Sequence, residues 1–360
     1  MALLSAKGRF RARVLDIRAG LNVVILNKQE AFENDIFMAD RIIVDKDGRQ
    51  IMSNVDVSGE TVKPGEIVLF DDTAGRLGVK NGDMLRISQA EPPASIEYIK
   101  KKLDGRMLEN AEIDAIISEL MAEKLSDVEL ASFITALYIR GLNTEETVGL
   151  TKAVVSSGET LDLGGAGPIV DKHCTGGIAG NRTTMLIVPI VAAAGLYMPK
   201  TSSRSITSAS GTADTMEVLA GVEFSLDELK RIVLGTHGCV VWGGAINLAA
   251  ADDKLIKIRH PMRLDPKGVM VASVLAKKKS VGAEYVVIDI PVGRGAKIQS
   301  MDAANDLARE FLVISARLGM KSEVLITSGR DPVGMGIGPG LECRDVLKSL
   351  QGGGPSDLVT

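Results

Sequence analysis

Lys172, His173, the pair Gly176-Gly177 and the hydroxyls of Thr183 and Thr184 fall within thirteen residues of one another. The glycine loop runs Thr175-Gly176-Gly177-Ile178-Ala179-Gly180-Asn181, between a strand-like run and an apolar helical one. Glycines there let backbone N–H groups approach an anion, and a helix N-terminus adds partial positive charge. With a lysine and two threonines beside them, the chemistry this suits is phosphate binding. Neither the P-loop spacing nor the G-x-G-x-x-G fingerprint is present. A second wall follows in Thr201–Thr212, with eight hydroxyls and Arg204 as its only charge. Such density is unfavourable in a helix, because these side chains compete for backbone hydrogen bonds. A lone arginine among hydroxyls suits a phosphate or a ribose. Asp214 reads either as part of that site or as a helix cap. His173 has the intrinsic range for proton transfer, although an isolated histidine beside a glycine loop is more often structural.

Further along, Gly293-Arg294-Gly295-x-Lys297 is another loop where a cation can meet an anion, or simply a solvated turn. Asp265, in Leu264-Asp265-Pro266-Lys267-Gly268, reads from composition as a turn former. The lysines of Lys277-Lys278-Lys279 read as mostly solvated, and Gly334–Gly340 as a flexible turn.

The elements that must hold these residues divide the 360-residue chain into blocks. Residues 1–90 form a β-rich domain: Val23–Leu26, Arg41–Val44, Ile67–Phe70 and Met84–Ile87 are strand runs separated by Asp47-Gly48, Pro64-Gly65 and Asn81-Gly82 turns. A small barrel or sandwich fits, and the turn pattern resembles that of double-psi barrels. Residues 95–158 have helical period, with Ile113, Ile116, Ile117, Leu120 and Met121 on one face. Ser126-x-x-Glu129 and Asn143-x-x-Glu146 open two more helices. From residue 164, strand candidates (Ile169–Val170, Val240–Trp242, Tyr285–Ile290, Ser322–Ile326) alternate with helices (Thr184–Gly195, Ser225–Thr236, Asp302–Gly319), which implies a mainly parallel sheet.

Composition narrows the function. The net charge of −4 gives no global field for nucleic acid, and with aromatics at 3% no platform stacks single strands. The longest uncharged stretch, Met185–Met198, is short of the roughly 20 residues that cross a bilayer. Three cysteines and three histidines show neither disulfide nor metal-ligand spacing, so no metal and no cofactor are expected. The expected location is the cytoplasm.

KHCTGG followed by SSRSITSASGTADTME, and then ASVLAKK before an apolar strand and Gly-x-Gly, resembles the pyrimidine-nucleoside phosphorylase family. The β-rich N-terminal extension, the SRSITS loop, VWGGAINLAAADD and LDPKG resemble its archaeal AMP phosphorylase branch most. The resemblance implies a helical lobe (95–158, with a return segment near 253–279) and a larger α/β lobe (164–252 and 280–360) of nucleoside phosphorylase and phosphoribosyltransferase type. The site would lie in the cleft between them. It implies a C-terminal region beyond the present chain, and a homodimer through the helical lobe that assembles further when that region is present. The implied reaction is phosphorolysis of AMP, with CMP and UMP as further substrates, to free base and ribose 1,5-bisphosphate. By the same resemblance Lys172, Gly176, Gly177, Thr183 and Thr212 hold phosphate. Gly177, Ser203, Arg204, Ser205, Ile206, Thr207, Ser208, Thr212, Ser273 and Lys297 hold the nucleotide. Asp265 is the implied proton donor to the departing base, a role for an acid kept protonated near neutral pH.

Two departures stand out. Cys174 replaces a phosphate-binding serine, and a thiol is a weaker donor. The arginine that reads a pyrimidine has a counterpart in Arg259 only with a register shift. The alternatives are a thymidine or pyrimidine nucleoside phosphorylase, a magnesium-using transferase like anthranilate phosphoribosyltransferase, and a non-catalytic adaptor.

Overall fold

The computed structural model describes residues 8–20, 22–178, 182–204 and 210–359. It divides into two compact units, residues 1–96 with 122–126, and residues 97–121 with 127–360.

In the first unit, strands β1 (Gly8–Leu15), β2 (Val23–Asn27), β3 (Arg41–Lys46), β4 (Arg49–Ser58), β5 (Glu66–Phe70) and β6 (Met84–Gln89) close a barrel in the order β1-β5-β2-β4-β3-β6. Helices α1 (Lys28–Glu33) and α2 (Asp71–Leu77) interrupt it. The β1–β5 and β2–β4 pairs are parallel, and the other four are antiparallel. The β3–β4 turn has Asp47 at φ 51° and Gly48 at φ 88°. Positive φ at both positions is what a two-residue type I′ hairpin needs. Alternate residues, among them Phe10, Val24, Leu26, Ile42, Val44, Ile67, Leu69, Leu85 and Ile87, fill the interior. The sequence signalled four of the six strands. β1 and β4 escaped because arginines in one and Asn54 and Asp56 in the other break their apolar runs.

Next come α3 (Ser95–Leu103), α4 (Asn110–Met121), α5 (Asp127–Arg140) and α6 (Thr144–Ser156). Ile113, Ile116, Ile117 and Leu120 are the buried face of α4. Asn143 and Glu146 form a reciprocal capping box on α6. Glu146 also accepts from the Lys102 ammonium at 2.6 Å and the Leu108 amide at 2.8 Å, so this buried carboxylate ties α3 to α6.

The chain then alternates: β7 (Val170–Cys174), α7 (Thr183–Ala193), β8 (Met198–Ser202), α8 (Thr212–Glu217), α9 (Leu226–Thr236) and β9 (Gly238–Trp242). After α10 (Ala250–Arg259) and α11 (Lys267–Ser280) come β10 (Tyr285–Val292), α12 (Met301–Arg317), β11 (Lys321–Ser328), α13 (Pro339–Leu350) and α14 (Ser356–Val359). α10 and α11 pack against α4, α5 and α6. β11-β10-β7 and β8-β9 are both wholly parallel. A parallel bridge between Ile169 and Tyr197 joins the two sheets. Leu275, Val286, Ile288, Ile290, Phe311 and Ile314 lie in the shared core.

Candidate active site

β7 carries Lys172, His173 and Cys174 as a strand, in register with Val287, Ile288 and Asp289 of β10. Pairing extends the strand four residues beyond the apolar pair that signalled it. The Lys172 ammonium donates to the Thr183 hydroxyl, in the first turn of α7, at 2.9 Å, and lies 3.6 Å from the Asp289 carboxylate. Asp289 is held in turn by the Thr327 hydroxyl at 2.6 Å. Lys172 and Thr183 are therefore joined across the mouth of the glycine loop.

Gly176 and Gly177 have φ of 92° and 96°, a region costly for other residues. Gly177 faces a second constraint. A Cβ there would lie 2.5 Å from the Lys297 backbone nitrogen and 2.8 Å from the Ala296 Cα. The two glycine-bearing loops, about 120 residues apart in sequence, touch backbone to backbone. Lys297 then extends its ammonium to Asp265 Oδ2 at 3.0 Å, while Arg259, the last residue of α10, pairs with Asp265 Oδ1. Contact runs without a break from the Gly176-Gly177 loop through Lys297 to Asp265 and Arg259. Asp265, which expectation made a protonated acid, sits between two cations. Ser273 of α11 donates to Asp252 at 2.7 Å, and Lys277 pairs with the same carboxylate at 2.7 Å.

Electrostatics assigns His173 and Cys174. Burial, and then the charges of Lys278, Lys200, Lys277 and Lys172, hold His173 well below its ordinary range. It is a neutral imidazole near pH 7, lacking the second ring proton that an imidazolium acid would give. Burial, reinforced by Asp289, pushes the Cys174 thiol up to about 11. It stays a thiol, engaged with the Gly176 amide and Asp289.

The second wall is placed in part. Ser203 lends its carbonyl to the Ala213 amide at 3.3 Å, which sets Thr212 at the first position of α8. Asp214 is a cap, accepting from the Gly211 amide at 2.9 Å. Arg204 donates to Glu217 at 2.6 and 2.9 Å, to Glu223 at 2.9 Å and to Asp214 at 3.2 Å, with its guanidinium 4.9 Å from the centre of the Trp242 ring. Three carboxylates already share its charge. Ser205, Ile206, Thr207 and Ser208 lie outside the described residues, as do Ala179, Gly180 and Asn181 of the first loop.

Two readings of the sequence change. Lys278 is not solvated: it is 1% exposed and pairs with buried Asp171 at 2.7 Å, and Lys277 is half-buried against Asp252. Nor is Gly334–Gly340 a free turn. Asp345 accepts from the Met335 and Gly336 amides at 2.9 and 2.8 Å, and Arg182, fully buried at the start of α7, pairs with Asp345 and donates to the Val333 and Gly336 carbonyls. Asp171, Asp252 and Asp289 went unmarked because each sits in a regular element and meets its partner only in the fold. A concavity of about 690 Å³ on the barrel unit is lined by Phe32, Phe37 and Met38 among others. Among the described residues no cluster of His, Cys, Asp or Glu is disposed to hold a metal, and the three cysteines are free thiols.

Residues 96–158 match the helical bundle domain of the glycosyl transferase family, and residues 166–346 match its a/b domain. The AMP phosphorylase of Thermococcus kodakarensis is 44% identical over 350 residues, covering 97% of this chain and 69% of that protein. That of Natronomonas pharaonis is 45% identical over 345 residues, covering 96% of this chain and 68% of the relative. Among solved structures, anthranilate phosphoribosyltransferase from Thermus thermophilus superposes with a TM-score of 0.60 at 20% identity, covering 72% of this chain and 84% of that one. That likeness concerns the fold alone. Both domains occur in the family's order and identity is above 40% along nearly the whole chain, so the chain belongs to the glycosyl transferase family, in the group of the archaeal AMP phosphorylases.

Proposed function

We propose that the chain catalyses the phosphorolysis of AMP, converting AMP and inorganic phosphate into adenine and ribose 1,5-bisphosphate. The observation that carries this reading is the unbroken contact from Lys172 and the Gly176-Gly177 loop through Lys297 to Asp265. It supports an anion site beside an acid. In this reading Lys172, Thr183, the Gly176-Gly177 amides and Thr212 hold the attacking phosphate. Ser203–Ser208, Ser273 and Lys297 hold the nucleotide, with Arg204 bracing its loop from the acidic side. Phosphate attacks C1′ as that carbon gains oxocarbenium character, and the C1′–N bond breaks with its electron pair passing to the base. Adenine leaves poorly as an anion. A proton delivered by Asp265 is worth about 10²–10⁴-fold in rate.

The discriminating assay is phosphate-dependent base release from AMP, CMP, UMP and thymidine without added metal. The reading expects AMP to be turned over with ribose 1,5-bisphosphate as co-product. Preference for thymidine would replace it with nucleoside phosphorolysis, and dependence on magnesium and a pyrophosphorylated sugar with the phosphoribosyl transfer of its structural neighbour. A homodimer through the helical lobe and a cytoplasmic location belong to the same proposal. No helix among the described residues is long and apolar enough to cross a membrane.

A further inference from the structure

Asp265 is held between two cations. Arg259 takes Oδ1, Lys297 takes Oδ2 at 3.0 Å, and both would have to tolerate a protonated partner for Asp265 to act as an acid. Adjacent cations favour the charged form of a carboxyl, whereas a proton donor has to be neutral. The two cations differ in their freedom. The Arg259 side chain is 13% exposed, whereas that of Lys297 is 39% exposed. Lys297 also springs from backbone packed on Gly177, at the glycine loop, with its nitrogen 3.5 Å from the Gly176 carbonyl. From there a flexible four-carbon stem can direct the ammonium either at Asp265 or at an anion in the loop.

Resting on the reading above, we propose that a substrate phosphate dianion triggers the acid: it draws Lys297 off Asp265, and only then does Asp265 take up a proton. Two changes act in the same direction. The carboxyl loses one neighbouring cation and gains a neighbouring dianion, and each favours its neutral form. The proton enters from solvent. It passes to a ring nitrogen of the base as the C1′–N bond breaks toward the base and a phosphate oxygen bonds to C1′. Asp265 returns to the carboxylate and recovers Lys297. The remaining charged groups of these segments are His260 and Arg263 in the turn, Arg294 in the glycine loop, and Lys267, which is committed to Glu310 at 2.7 Å. The dianion has two sources, the 5′-phosphate of the nucleotide and the attacking phosphate. A site gated in this way spends its acid only on a loaded complex.

The test is calorimetric titration of the whole chain near pH 7 with AMP, inorganic phosphate and adenosine separately, each in two buffers of different ionisation enthalpy. Comparing the two buffers counts the protons taken up on binding. Asp265→Asn subtracts protonation of the ligand itself. The proposal expects phosphate-bearing ligands to draw close to one additional proton into the wild type relative to Asp265→Asn, and Lys297→Met to lose most of that difference while still binding adenosine. Uptake with AMP identifies the 5′-phosphate as the trigger, and uptake with inorganic phosphate the nucleophile. Equal uptake with adenosine, or no difference between wild type and Asp265→Asn, overturns the proposal. If AMP is neither bound nor turned over but phosphate draws the proton, the substrate assignment falls while the trigger stands. Failure of all phosphate ligands to bind overturns both.

Discussion

A hydrogen atom in place of a side chain decides the geometry at Gly177. Its left-handed backbone and its contact with Ala296 and Lys297 leave no room for a methyl group. The neighbour is backbone, which cannot swing aside. Gly177→Ala is therefore expected to cost about 1–3 kcal/mol in strain and to separate the two loops. Misplacement on the ångström scale costs about 10²-fold in turnover. Thermal melting and phosphate-dependent kinetics check both effects, and an unaltered KM for phosphate would contradict the placement. At this scale the sequence was legible where composition is unusual. The Lys172, Gly176-Gly177 and Thr183 set reads as an anion site from residue types alone. Asp265 does not, because an aspartate before a proline looks like any turn former, and only the resemblance marked it. Asp289 has no local signal, since its role depends on Lys172 and Cys174 being one strand away.

Elements meet in a buried charge cluster that no local pattern announces. Asp171 of β7 takes the Lys278 ammonium of α11, with Lys200 of β8 3.9 Å away on its other oxygen. Burial, together with the charge of Lys278, pushes Lys200 down to about 7. In the unfolded chain the same lysine titrates near 10.5. Between these values the unfolded chain binds more protons, so stability rises with pH from about 7 to about 10.5, at up to ~1.4 kcal/mol per pH unit. Below that window both states are protonated, and the folded one carries the whole penalty. Lys200→Met is expected to flatten the rise, read from urea midpoints at pH 7 and pH 9. A parallel slope in the two proteins would rule out this account. The capping box at Asn143 and the buried face of α4 were readable because those signals are local. β8 was not, since Lys200, Thr201 and Ser202 look like loop until the strand is seen buried beside β9.

For the molecule as a whole, the two units have their own main cores. Among the described residues the barrel core runs from Phe10 to Ile87, and the main α/β core from Val148 to Met320. Separate cores have separate stabilities, so calorimetry is expected to resolve two transitions, with a measured enthalpy above the van't Hoff value for either. One two-state transition would show that the units unfold as one. The alternation of strands and helices told the layer architecture, and regular turns told the β-rich start. Barrel closure was not decidable, since strand order depends on pairings that no turn specifies.

The buried Arg182 has a consequence for how the protein is made. It stands at the entry to α7, the helix that brings Thr183 to Lys172, and its charge is answered by Asp345 and the carbonyls of Val333 and Gly336. Until those residues leave the ribosome, roughly 150 residues later in synthesis, the helix start carries an uncompensated charge that cannot be buried. The Lys172–Thr183 end of the α/β lobe is among its first parts to be translated, yet it must wait for residues 333–345 before it can close.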